Sequence, residues 1–229
     1  MHPVEVIRWV LRSPGARSDE IVDEVAYALA SLPERDRVLA ARRLVAHRPS
    51  DAVLWWLCAH LLPTDTPLAA ADRCLALLDG DETADEVAGL LGSEAAVASV
   101  GERDVALRVF ELRPDLTWAE DPSMAASVIV EPIAATADGV LLRSAGWPTA
   151  ADLGGPSVIL VAIPVGRALP AGARRALGVA DGLVELGWDE LGDVRIVGPL
   201  GPIDGAPGPA VVRMIDCPPA PELSAVHQA

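Results

Sequence analysis

The chain has 229 residues, 51% of them hydrophobic, with 33 acidic and 18 basic side chains and a net charge of −15. That is enough apolar material for one large domain or two small ones, and the wrong charge for nucleic acid, which demands clustered cations against its phosphates. All the basic residues are arginine and there is no lysine or asparagine, so Schiff-base and P-loop lysine chemistry are excluded.

The missing residue types point to the coding bias of a GC-rich, bacterial genome. The densest basic cluster, Arg42-Arg43 with His47-Arg48, is small and set among acids. The charge is read instead as a solubilising surface. Aromatics make up only 3%, so Ala, Val and Leu must fill most of the core. Cys58, Cys74 and Cys217 are far apart, with no metal or redox spacing, and read as buried thiols of a reducing cytoplasm. His47, His60 and His227 show no ligand spacing, and no metal or cofactor is expected. The first residues, Met1-His2-Pro3-Val4-Glu5, do not form a secretory signal. The longest apolar runs, such as Val158 to Val165, fall far short of a membrane span.

Residues 1–95 read as a helical domain. Val4, Ile7, Val10 and Leu11 follow a helical period, broken at Pro14-Gly15. Ser18, with Asp19 and Glu20 behind it, starts a second helix whose apolar face is Ile21, Val25, Leu29 and Leu32. A third carries Val38, Leu39 and Leu44 and stops at His47-Arg48-Pro49. Ser50 is placed as the cap of a fourth helix. Its core, Val53 to Ala59, is apolar nearly all round, as a central bundle helix would be. A fifth helix holds Ala69, Leu75 and Leu78, and a short sixth ends at Leu91-Gly92.

Residues 96–229 read as a second, α/β domain with a small, mainly parallel sheet. Its strands are placed at Ala106–Phe110, Val128–Val130 and Val158–Ile163. Val194–Val197 and Val211–Ile215 are placed as edge strands. Short helices are expected at Pro148–Leu153 and Ala171–Val179, and a loop over Gly198–Pro209. Val128–Val130 is apolar at consecutive positions, like a strand buried on both faces. It stops at Glu131-Pro132, and Asp138-Gly139 marks a tight turn before Val140-Leu141-Leu142. No glycine-rich dinucleotide fingerprint follows any of these strands.

Four segments, in order, carry a family likeness. They are Arg48-Pro49-Ser50, Glu111-Leu112-Arg113-Pro114, the stretch from Val128 to Trp147, and Ile215-Asp216 with the prolines up to Glu222-Leu223. Together they resemble the alpha, beta and delta subunits of translation initiation factor 2B, with their relatives the methylthioribose-1-phosphate and ribose-1,5-bisphosphate isomerases. The resemblance implies a helical N-terminal domain, a Rossmann-like (NagB/RpiA-like) C-terminal domain and a homodimer built through the latter. It also implies what is missing. The isomerases' catalytic aspartate falls on Ile133, their Gly-Ala on Glu131-Pro132, and their Asn-Lys on Arg143-Ser144. No cysteine stands where the catalytic one should, between Cys74 and Cys217. The strand and glycine-rich turn that would cradle a sugar phosphate look missing or reduced. An aldose–ketose isomerisation needs an acid/base pair flanking the sugar carbons, so the chain does not read as one of these isomerases, and whether it is an enzyme stays open, leaning against.

The candidate ligand-binding residues are Arg48, Arg113, Glu131 and Arg143. Arg48 matches a family position associated with phosphate, which the planar guanidinium fork suits; equally, it pairs with a helix end or with Asp51. Arg113 has the same two readings, and its assumed place after a strand is where α/β sheets bind ligands. Glu131 is the one candidate general base, or it caps a neighbouring helix, or it pairs with Arg143. Three functions stay open. The first is a non-catalytic or regulatory protein, dimeric, taking a phosphorylated sugar or nucleotide. The second is an isomerase-like enzyme with a rearranged site, and the third a structural subunit of a larger complex.

Overall fold

The structure, a computed structural model, describes residues 2–13, 16–143, 158–170, 173, 182–203, 211 and 217–224. Six helices come first: α1 Pro3–Leu11, α2 Ser18–Ala30, α3 Glu34–His47, α4 Ala52–Leu61, α5 Pro67–Asp79 and α6 Thr83–Leu90. Then follow β1 Ala96–Gly101, α7 Asp104–Leu112, β2 Thr117–Trp118, a 3-10 turn at Pro122–Met124, β3 Ser127–Glu131, β4 Ala134–Ala135 and β5 Gly139–Arg143. The chain continues with β6 Val158–Ala162, β7 Leu183–Gly187, β8 Arg195–Gly198, β9 Gly201–Ile203 and α8 Pro221–Ser224.

The helical layer is organised around α4. Leu54, Trp55, Trp56, Leu57 and Cys58 are all buried, because α2, α3 and α5 pack around this one helix. Its cap is Asp51, not Ser50: the Asp51 carboxylate accepts the Leu54 N–H at 3.1 Å, the usual reach from an N-cap to the third helical residue. α2 starts at Ser18 with Arg17 at the cap, and the Glu20 carboxylate takes the Arg17 N–H at 3.1 Å. Burial pushes the Cys58 thiol far up and the Cys74 thiol up to about 11, so neither is a ready nucleophile.

The main sheet runs β2-β1-β3-β6-β8-β9. All its neighbours are parallel except the β8–β9 hairpin. β3 is buried along its whole length, as its unbroken apolar run requires. Val128 and Val130 join one core with Val100, Val161 and Ile196. Ile129 joins another on the opposite face, with Leu160, Val197 and residues of α6 and α7, which is the period-two alternation of a strand. β4, β5 and β7 form a small antiparallel sheet. The β4–β5 turn sits at Asp138-Gly139, where the Thr136 N–H donates to the Gly139 carbonyl at 2.8 Å. A further core joins the helical layer to Ile133 and Leu141 of this second region.

Several elements differ from the sequence reading. Ala106–Phe110 is not a strand but part of α7. Val105, Ala106 and Val109 are buried while Leu107 is exposed, the stripe of a helix laid on a sheet. The first strand is β1, whose small Ala and Ser residues hide it among turn-like composition. Val194–Val197 supplies β8, which is not an edge: it lies between β6 and β9. The expected loop from Gly198 holds β9. The expected elements at 148–153, 171–179 and 211–215 lie outside the described residues, apart from Ala173 and Val211. Among the described residues, no helix is long and apolar enough to cross a membrane.

Candidate functional site

Because β1, β3 and β6 are parallel, their C-terminal ends open on one side, the side where α/β sheets hold ligands. The helical layer faces them there, and a cleft of about 870 Å³ lies between. Its walls are the start of α2, the α3–α4 junction, the α5–α6 link, the β1–α7 turn and the loops after β3 and β6.

Glu131 ends β3 and is buried. Its two carboxylate oxygens accept the Val105 and Ala106 N–H groups, each at 2.7 Å. It therefore satisfies orphan donors at the N-terminus of α7, where the helix dipole favours an anion. Of its sequence readings, the helix cap is the one this geometry matches. Burial is the largest influence on the carboxyl and pushes it up to about 7, against the pull of the two N–H groups. The turn beneath it depends on Gly101, at φ +97°: a Cβ there would lie 2.0 Å from the Glu131 carbonyl oxygen. β1 leads into this turn, which carries the single Gly101 rather than a glycine-rich loop.

Arg48 lines the same cleft. Its Nη2 donates to the Ala16 carbonyl at 2.5 Å, and its Nε lies 3.1 Å from Asp51. Nη1 is buried and has no hydrogen-bond partner among the described residues. Arg143, half exposed at the end of β5, donates from Nε to Glu102 at 2.7 Å. It does not pair with Glu131.

Arg113 is elsewhere. It follows α7, a helix rather than a strand, and so does not stand at a sheet's ligand edge as expected. It donates to the carbonyls of Ala88, Leu91 and Gly92 and forks onto Asp115 at 2.7 Å through both Nε and Nη2. These contacts satisfy the carbonyls left over at the end of α6. The Arg113 guanidinium and the Glu94 N–H hold the Asp115 carboxyl well below the usual carboxylate range.

The sequence reading overlooked Arg17, Asp104 and Arg167. Asp104, the first residue of α7, accepts from Arg17 and from Arg167, each at 3.3 Å. Arg17 also forks onto Asp19, at 3.0 and 2.9 Å, and Arg167 also donates to the Ile133 carbonyl at 3.2 Å. The signal for Arg167 was available, since it lies just past the strand read at Val158–Ile163. Asp104 was hidden because β1 was. Among the described residues, five arginines and eight carboxylates line the cleft, and each of those arginines has a carboxylate partner. Ile133 is 1% exposed and belongs to the core. Among the described residues no cysteine lines the cleft, and no three His, Cys, Asp or Glu side chains meet in a metal-holding group.

No protein-family model matches the chain, and no curated protein matches it by sequence. Solved structures do. Translation initiation factor eIF-2B from Pyrococcus horikoshii aligns with TM-score 0.62 at 14% identity, over 88% of this chain and 96% of that one. The beta subunit of eIF2B from Chaetomium thermophilum aligns with TM-score 0.62 at 15% identity, over 88% and 85%. The delta subunit of eIF-2B from A. fulgidus aligns with TM-score 0.50 at 11% identity, over 93% and 91%. At such identities the likeness is one of fold, and it runs through both the helical layer and the sheet.

Proposed function

We propose that this chain is a non-catalytic, regulatory binding protein that takes a phosphorylated sugar or nucleotide in the cleft and works as a homodimer. The observation that carries the binding reading is the cleft itself: it stands at the C-terminal ends of three parallel strands and is lined by arginines. Guanidinium groups suit phosphoryl oxygens, which accept paired N–H bonds. The non-catalytic reading is supported by Ile133, a core residue where the resembling isomerases carry an aspartate, and by the lack of a thiol in the described cleft wall. The dimer is proposed from the resemblance, and light scattering of the purified protein at twice the monomer mass is the expected result.

Thermal shift against a panel of sugar phosphates and nucleotides tests the ligand. A true ligand at about 100 times its dissociation constant raises the midpoint by roughly 5–10 °C. The rise is expected to vanish in Arg143→Ala and to persist in Arg113→Ala. A flat profile across the panel overturns the proposal. One observation favours a second reading, an isomerase-like enzyme: a carboxyl held near 7 is well matched to general-base work. Turnover of a sugar phosphate that disappears in Glu131→Gln would establish it.

A further inference from the structure

Arg17 comes from the start of α2 and Arg167 from the loop after β6, so the Asp104 carboxylate between them ties the helical layer to the sheet across the cleft. Both links are loose. At 3.3 Å they are longer than the 2.7–2.9 Å usual for charge-assisted bonds, and the Asp104 side chain is 52% exposed. The two arginines, in contrast, are each held by something else: Arg17 by the Asp19 fork, and Arg167 by the Ile133 carbonyl, with its side chain 13% exposed. With Asp104 turned away, each guanidinium group would keep its other contact, and the space left by the carboxylate would lie within reach of both.

We propose that Arg17 and Arg167 form the phosphoryl subsite of the cleft, and that Asp104 is a built-in carboxylate which occupies it until a phosphorylated ligand displaces it. This rests on the phosphorylated-ligand reading above and adds the residues and the competition. A phosphoryl group outcompetes a carboxylate between two arginines for two reasons. It carries up to twice the charge, and it offers three strong acceptor oxygens rather than two. The competition also sets specificity. A neutral sugar gives the arginines nothing in exchange for Asp104, so it leaves the contact closed.

Titration calorimetry with inorganic phosphate tests this on the full chain. Asp104→Asn keeps the shape and removes the competing charge, so phosphate should bind about tenfold tighter or more than to the unsubstituted protein. Asp104→Ser should do the same, which guards against an Asn-specific effect. Arg167→Ala should lose binding, and adding it to Asp104→Asn should erase the gain. Unchanged or weaker binding in both Asp104 variants overturns the proposal, as does a gain that survives in the double variant. If the Asp104 variants gain phosphate while the unsubstituted protein binds no phosphorylated ligand, the subsite stands and the phosphorylated-ligand reading falls. If the unsubstituted protein binds a sugar phosphate and the Asp104 variants bind it no better, that reading stands and the subsite falls.

Discussion

Glu131 is buried at the end of β3 and caps α7. Its charged form is favoured by two short N–H bonds and opposed by burial, and burial is the larger influence. The folded carboxyl titrates at about 7, against an ordinary 4.5. Between those values the folded state holds more protons than the unfolded state, so stability falls as pH rises through this window and levels off above it. The size is on the order of 3 kcal/mol. In Glu131→Gln this dependence is absent. Urea melts of both proteins from pH 4.5 to 8 should therefore show the wild-type advantage shrinking up to about pH 7 and then holding constant. A gap that does not change with pH would mean the carboxyl titrates near its ordinary value. The residue itself was legible in the sequence, because a carboxylate directly after a buried strand is conspicuous. Its partners were not, because the two N–H groups belong to a helix that the sequence reading took for a strand.

At the scale of elements, β1, its turn and α7 form the unit that shapes the cleft floor. Gly101 makes the unit possible. Its left-handed φ is open to glycine at little cost, and the Glu131 carbonyl leaves no room for a Cβ. Gly101→Ala should cost about 3 kcal/mol or more, read as a lowered urea midpoint, because strain and backbone overlap add. A loss under 1 kcal/mol would show that the turn adjusts freely. This unit was also the least legible stretch. Ala106 to Phe110 is apolar enough for either a strand or a helix, and periodicity over five residues does not separate them. What decides is the neighbour: α7 lays Val105 and Val109 on the sheet and leaves Leu107 outside. β1, with Ala96, Ala98 and Ser99 among its residues, has weak strand character of its own and is held by its parallel partner β3. Arg113 was misplaced for the same reason, since its role was inferred from the element thought to precede it.

The molecule as a whole is joined by a core that does not respect the order of the chain. Residues of α1 to α5 share one cluster with Ile133, Leu141, Leu169 and Leu223, and Asp81, between α5 and α6, accepts the Val165 N–H from the loop after β6 at 2.8 Å. Helical layer and sheet should therefore melt together. A single calorimetric endotherm, with calorimetric and van't Hoff enthalpies equal, is expected; two resolved endotherms would show that the layers are energetically independent. By itself the sequence determined the helical run at the start, the buried strand at Val128–Val130, the turn at Asp138-Gly139, and the α/β class with its mainly parallel sheet. These follow from apolar periodicity, from proline and glycine, and from local hydrogen bonding, all of which act over a few residues. Only the tertiary structure decided which charges face one another. Arg17, Asp104 and Arg167 are 63 to 150 positions apart, and they meet because parallel strands bring distant loops to one edge and the helical layer closes over it.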